Sequence, residues 1–384
     1  MASLSPDDEQ GILVQEPNSF VRSLTLNRPE QLNALSDDMV SRLIELFLVY
    51  QQDAKVKLVI LKGEGRAFCA GGDVAALARL LFEGNWRTAI EINGKLYKLM
   101  HLVATYKKLQ VAILDGIVMG AGAAISIHGR FRVATENSIF AMPETALGSF
   151  PDMGSSHFLS RLPGSLGEYL ALTGARLDGA DMLACGLATH FVPLDKLALL
   201  VEALVLKMAS PNISSYDLAD NISVIIKEYS QQPNLAERSA LNRMDTINKC
   251  FSKRTAEEIF TALENEAANS KTDDAWFSST IHRLNRAAPA SLKIALRSVR
   301  QGRTEGVVEC LVREHRMSCI SLRGEAHTDI KEGCRALLLD KDGNPKWEPS
   351  RLELVDDEMI DKVFTPFDEN DELKELQVPI ISKL

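Results

Sequence analysis

An α/β fold with a helical C-terminal region is predicted by two patterns in this 384-residue chain. Short apolar runs alternate with longer segments of helical character as far as Val192, and that alternation calls for buried parallel strands with helices packed over them. Beyond Val192 the pattern changes to long helical stretches punctuated by Pro211, Pro233 and Pro289.

In chain order the strand candidates are Phe20 to Thr25, Lys57 to Lys62, Val111 to Leu114, Arg130 to Ala134 and Ser138 to Ala141. The third is the plainest, a short apolar run ended by Asp115-Gly116. Helical segments lie between them near Ser36 to Gln52, Trp86 to Thr105 and Gly122 to Ile127, the last a run of small residues opened by Met119-Gly120-Ala121-Gly122. The later helices fall at Asp195 to Ala209, Asp217 to Gln231, Thr255 to Ala268, Asp274 to Ala287 and Leu292 to Gln301. A strand-like piece at Ala336 to Leu339 and a turn at Lys341 to Pro345 close the pattern. The predicted organisation is a core over 11–195, a helical region over 196–367 and an exposed acidic tail over 368–384.

Composition bounds the function. With 46% hydrophobic and 25% charged residues the chain reads as globular, and a net charge of −9 argues against a nucleic-acid partner, which calls for a basic face. Six cysteines without C-x-x-C spacing read as reduced thiols, and no metal-ligand pattern joins them to the seven histidines. The apolar stretch Leu197 to Met208 is interrupted by Glu202, so no membrane span is expected. The first ten residues, MASLSPDDEQ, lack the basic region of a secretory signal and the arginine pattern of a mitochondrial one. The last three, Ser382-Lys383-Leu384, read as a peroxisomal address recognised by an import receptor.

Two strand-to-helix turns carry the chemistry. One runs from Gly65 to Asp73 after the second strand candidate, and the other is Met119 to Gly122. Backbone N–H groups at such turns lack intrahelical partners and can receive a developing oxyanion, each worth about 2.7–4 kcal/mol when fixed beforehand. Downstream, Glu144 follows Pro143 between apolar segments, where partial burial raises a carboxylate pKa toward the range useful for proton transfer. Asp152 lies eight residues on, in Phe150-Pro151-Asp152-Met153-Gly154.

These segments resemble the crotonase (enoyl-CoA hydratase/isomerase) superfamily and, within it, the 3-hydroxyisobutyryl-CoA hydrolases. The resemblance rests on LTLNRPEQLNAL (24–35), LVILKGEGRAFCAGGD (58–73), DGIVMGAG (115–122), HGRFRVATE (128–136), FAMPETALGSFPDMG (140–154) and LTGARLDGADMLACGLATHFV (172–192). The hydrolase branch is marked by NKCFSKRTAEEI (248–259), PASLKIALR (289–297) and EGCRALLLDKDGNPKWEP (332–349). It implies a crotonase spiral of β-β-α turns and hydrolysis of a short-chain 3-hydroxyacyl-CoA in valine catabolism, with no cofactor beyond the CoA of the substrate. By the same resemblance Glu144 is catalytic, Asp152 binds the substrate's 3-hydroxyl, and the N–H groups of Gly72 and Ala121 form the oxyanion hole. Gln31, Leu32, Arg66, Ala70 and Asp73 line the CoA site, with Arg66 near a phosphate and Arg28 a second basic candidate. Glu144 either attacks the thioester or activates water.

Several positions depart from the family pattern. Hydratases carry a second glutamate where this chain has Ala124, which weighs against an enoyl-CoA hydratase or isomerase. Leu96 replaces an acidic residue before Tyr97, Ala121 replaces glycine, and Ser155-Ser156-His157 is unusual; Leu96, Ala121 and His157 keep open a CoA-binding paralogue with little turnover, while Glu30, where a basic residue is common, bears on phosphate recognition. No G-x-S-x-G elbow or G-K-[ST] loop occurs. Cys69, His128 and His190 read as core residues, and His157 as a neighbour of Asp152.

Overall fold

The computed structural model describes residues 11–209, 218–270 and 274–378; Ser382-Lys383-Leu384 lies outside them. The strands are β1 (Ile12–Asn18), β2 (Val21–Leu26), β3 (Leu58–Gly63), β4 (Ala67–Cys69), β5 (Leu109–Leu114), β6 (Ile117–Met119), β7 (Phe131–Ala134), β8 (Ile139–Ala141), β9 (Leu177–Asp178) and β10 (His190–Phe191). One sheet has the order β1-β2-β3-β5-β7-β10, parallel throughout except for the antiparallel edge strand β1. Parallel strands need cover on both faces, which explains why β2, β3, β5 and β7 are written as apolar runs. Val21, Ile60, Val111 and Val133 form one buried cluster with Leu200, Leu204 and Met208 of the helix Leu197–Met208 and Ile222 and Ile226 of the helix Leu218–Tyr229. Each such side chain contributes about 1.5–3 kcal/mol on burial.

The second sheet has the order β4-β6-β8-β9. The chain supplies the two sheets alternately: β3, β4 and the helix Val74–Phe82; β5, β6 and the helix Ala121–Ile127; β7, β8 and the short turn Glu144–Leu147. That recurrence is the spiral of β-β-α turns. Periodicity had predicted one strand in each of the first two repeats, because β4 and β6 are three residues long and too short to carry a pattern of their own.

The described chain forms two compact units. One comprises residues up to 72, 98–140 and 177–242 and contains both sheets; the other comprises 73–97, 141–176 and the chain from 243 onward. The second is helical. Ala78, Leu81, Ala89 and Ile90 pack there against Cys319, Leu322, Ile330 and Cys334.

The structure corrects four expectations in this second unit. The helix predicted from Leu292 begins at Pro289, because proline lacks the N–H that a first helical position leaves unpaired anyway. Ala336 to Leu339 is not a strand: Arg335–Leu339 continues the helix Asp329–Cys334 as a wide helical turn, held by Arg335 pairing with Glu332, Asp340 and Asp342. The described part of the acidic tail, 368–378, keeps most of its residues exposed but is also clasped by arginines. Asp371 pairs with Arg323 at 2.8 Å, Glu372 with Arg87 at 2.8 Å and Glu375 with Arg316 at 2.6 Å, and Leu376 is buried. Finally, a 17-residue helix, Val307–Arg323, had not been anticipated.

Candidate active site

In the sheet-bearing unit the two glycine-rich turns are brought together. Gly71 has φ of +121°, and a Cβ built there would stand 3.4 Å from the Met119 carbonyl oxygen and 3.8 Å from the Ala121 nitrogen. Gly122 packs so closely on β4 that a Cβ would meet the Cys69 carbonyl oxygen at 2.2 Å, so the helix Ala121–Ile127 can start here only with glycine at its second position. The Ala123 and Ala124 N–H groups both bond the Gly120 carbonyl, whereas that of Ala121 precedes any intrahelical acceptor. On the other turn, Leu35 and Gly72 form an isolated parallel bridge, with Leu35 donating to the Gly71 carbonyl at 2.8 Å. Gly72 and Ala121 thus lie at two rigid, adjacent backbone corners.

Asn33 ties these corners to the predicted CoA turn. Fully buried, it accepts from the Arg28 N–H and donates to the carbonyls of Glu64 and Ala67 at 2.9 and 2.7 Å. Leu32, in left-handed conformation after the turn Pro29–Gln31, accepts from the Ala70 N–H at 3.0 Å. Gln31 and Arg66 are exposed. Arg28 is engaged within the turn, donating to the Ala34 carbonyl at 2.7 Å.

The helical unit carries the carboxylates. Glu144 opens the turn Glu144–Leu147, which is fixed by Ala146 donating to Pro143, Ser149 to Glu144 and Ala288 to Thr145, at 3.0–3.1 Å. Its Oε2 is sealed from solvent and has no hydrogen-bond partner among the described residues. Burial, reinforced by the charge of Asp152, pushes the Glu144 carboxyl up to about 8. Asp152 Oδ2 accepts from the Tyr97 hydroxyl at 2.9 Å. Burial first, and the charge of Glu314 second, raise the Asp152 carboxyl to about 7, against the opposing Tyr97 hydrogen bond. The two acids titrate as a coupled pair around neutrality.

Other predicted positions take supporting roles. In the same unit Asp73 caps the helix Val74–Phe82 by accepting from the Ala76 N–H, and Leu96 is buried. Burial and the neighbouring Arg161 hold His157 down to about 4, so it is neutral at physiological pH. Burial pushes the Cys69 thiol up to about 12, the wrong direction for a nucleophile. His190 contacts Thr189 at 2.9 Å in the sheet-bearing unit. No helix is long and apolar enough to cross a membrane, and no cluster of three or more potential ligands could hold a metal, among the described residues.

Residues 21–364 match the enoyl-CoA hydratase/isomerase family model. Among curated relatives, 3-hydroxyisobutyryl-CoA hydrolase 1 of Arabidopsis thaliana is 57% identical over 363 residues, covering 94% of this chain and 93% of that protein. The chain belongs to the 3-hydroxyisobutyryl-CoA hydrolase family. The similarity of this family member extends to the small ribosomal subunit protein mS47 of Arabidopsis thaliana, 42% identical across 97% of this chain and 89% of that one. Among solved structures, a carnitinyl-CoA dehydratase from Mycobacterium thermoresistibile superposes with a TM-score of 0.82 at 32% identity, over 96% of this chain and 98% of the other. In this hydrolase-family chain Ala124 is fully buried, so the position where hydratases place a second glutamate has become part of the core.

Three further residues stand around these positions with little signal in the sequence. Asn33 lies inside the segment 24–35, and Tyr97 directly follows Leu96. Glu314 belongs to the unanticipated helix. Its signal is a charged triplet, Arg313-Glu314-His315, at buried positions of a helix whose apolar face includes Leu311 and Met317.

Proposed function

We propose that this chain hydrolyses 3-hydroxyisobutyryl-CoA to the free hydroxy acid and CoA. The observation that carries the reading is the Glu144 and Asp152 pair, two enclosed carboxylates with pKa values raised toward neutrality, in a chain so similar to a named hydrolase of that thioester. In this mechanism Glu144 attacks the thioester carbon and the carbonyl electrons move to oxygen. The oxyanion is received by the N–H groups of Gly72 and Ala121. Its collapse expels the CoA thiolate and leaves a mixed anhydride, which water hydrolyses to regenerate the Glu144 carboxylate. Asp152 holds the 3-hydroxyl, while Gln31, Leu32, Arg66, Ala70 and Asp73 contact the CoA moiety and Leu96 adjoins the acyl group.

Thiol release from purified protein tests this reading, with 3-hydroxyisobutyryl-CoA, 3-hydroxypropionyl-CoA and crotonyl-CoA compared. Release from the hydroxyacyl thioesters is expected; none from any, in protein that binds CoA, makes the chain a binding paralogue. In a single turnover in 18O-water, label in the Glu144 carboxylate requires the anhydride, opened at its glutamyl carbonyl; with label in the product alone, hydroxylamine trapping decides, a Glu144 hydroxamate marking the anhydride and its absence selecting water activation.

We further propose a peroxisomal location, supported by Ser382-Lys383-Leu384 as a receptor-read address. A fluorescent fusion at the N-terminus should collect in peroxisomes and lose that pattern on Leu384→Ala.

A further inference from the structure

Glu314 is fully buried at the middle of the helix Val307–Arg323. Its Oε1 accepts from the Ser156 N–H at 2.9 Å and its Oε2 from the Gly154 N–H. Both oxygens therefore accept from backbone N–H, which with Arg313 favours the ionised form against the upward push of burial. The two N–H groups lead into the short helix Ser155–Leu159, directly after the turn that presents Asp152. That turn has two consecutive left-handed residues, Met153 at φ 60° and Gly154 at φ 85°, a conformation that needs holding from outside. Arg313 reinforces the same point: it donates to Ser156 Oγ at 3.0 Å and Ser298 Oγ at 2.8 Å and pairs with Glu305 at 2.7 Å.

A buried carboxyl is costly to keep charged unless its surroundings compensate, and an apolar residue packs a helix contact at less cost. Its presence calls for a task that an apolar side chain cannot perform. We propose that Glu314 is a positioning residue for the hydrolase reaction: its carboxylate fixes the Pro151 to Gly154 turn through two backbone hydrogen bonds, and its charge opposes a second negative charge on Asp152. The inference rests on the hydrolase reading given above. Tyr97 and Glu144 are the other titratable groups facing Asp152; Arg313, Cys310 and Tyr97 face Glu314. The direction of the Asp152 shift, upward with Glu314 as the largest charge contribution, agrees.

The test is the pH dependence of kcat/KM for thiol release from 3-hydroxyisobutyryl-CoA by the full chain, as wild type, Glu314→Gln and Glu314→Asp. Wild-type release at all tests the hydrolase reading by itself. Glu314→Gln, which removes the charge, should move the acid limb downward by about one pH unit, whereas Glu314→Asp, which keeps it, should hold the limb while lowering the rate. A Glu314→Gln limb that stays in place while only the rate falls makes Glu314 a structural residue and overturns the proposal. If Glu314→Gln does not fold, or if the wild type releases no thiol, carboxyl-carbon NMR titration of the wild-type protein decides. As pH rises Glu314 should lose its proton before Asp152 does, since its charge is what raises Asp152; loss of the Asp152 proton first overturns the proposal.

Discussion

The Tyr97 hydroxyl donates to Asp152 Oδ2 at 2.9 Å, joining residues 55 positions apart in one compact unit, the first on the helix Trp86–Ala104 and the second in the turn before the helix Ser155–Leu159. The phenol is fully buried, and its hydrogen bond, together with a backbone one, favours the ionised form of this acid against the raising effects of burial and Glu314. Tyr97→Phe should therefore move the acid limb of kcat/KM upward and reduce activity by about 10-fold to 150-fold, the worth of one hydrogen bond to a charged group. An unchanged limb in a steady-state pH series would show that Asp152 does not control it.

Glu144→Gln and Asp152→Asn should each lower kcat by about 10²–10⁴-fold, the usual worth of a positioned proton-transfer or nucleophilic group. In the wild type, kcat/KM should rise with pH through about 7 to 8, as the coupled pair loses its protons.

The same shifts predict a stability change of opposite sense to that of a salt-bridged acid. An acid whose pKa is raised by folding binds its proton more tightly in the native state, so native stability falls as pH rises from the unfolded value near 4 through the folded values of about 7 and 8. Asp152→Asn should accordingly gain on the order of 1–2 kcal/mol over the wild type at pH 8.5 and nothing at pH 4, read from urea unfolding at the two pH values.

Asn33→Ala leaves the carbonyls of Glu64 and Ala67 without their buried donor and should cost about 1–3 kcal/mol of stability. Because it loosens the corners beside Gly72 while leaving both acids alone, activity should fall with no displacement of the pH profile. A displaced profile would contradict the assignment of Asn33 to the turns.

Ending the chain at residue 367 removes the partners of Arg87, Arg316 and Arg323 together with buried Leu376. The exposed pair Arg87–Glu372 contributes about 0–1 kcal/mol, the other two pairs are part-buried and less screened, and the apolar side chain contributes about 1.5–3 kcal/mol, so Tm should fall by roughly 2–6 °C, with only a minor part reproduced by adding salt to the intact protein.

The strands β2, β3, β5 and β7 and the helices Asp37–Gln52 and Trp86–Ala104 were legible because a buried parallel strand and an amphipathic helix each impose a local pattern on the residues. The turn chemistry around Gly72, Ala121 and Glu144 was legible too, since close backbone approach demands small residues and proline marks the entry to the acid's turn. The sequence also placed Asp152 beside Glu144, eight residues away on one connected loop.

Only the tertiary structure decided what surrounds those acids. Tyr97 and Glu314 reach Asp152 and the backbone after it across 55 and about 160 residues of chain, and no periodicity connects positions so far apart. The acidic tail likewise reads as solvated when taken alone, because the arginines that clasp it are spread over two distant helices. Local pattern fixes which residues are buried, but the charge that each buried group faces depends on which helix packs against it, and that is settled when the whole core forms.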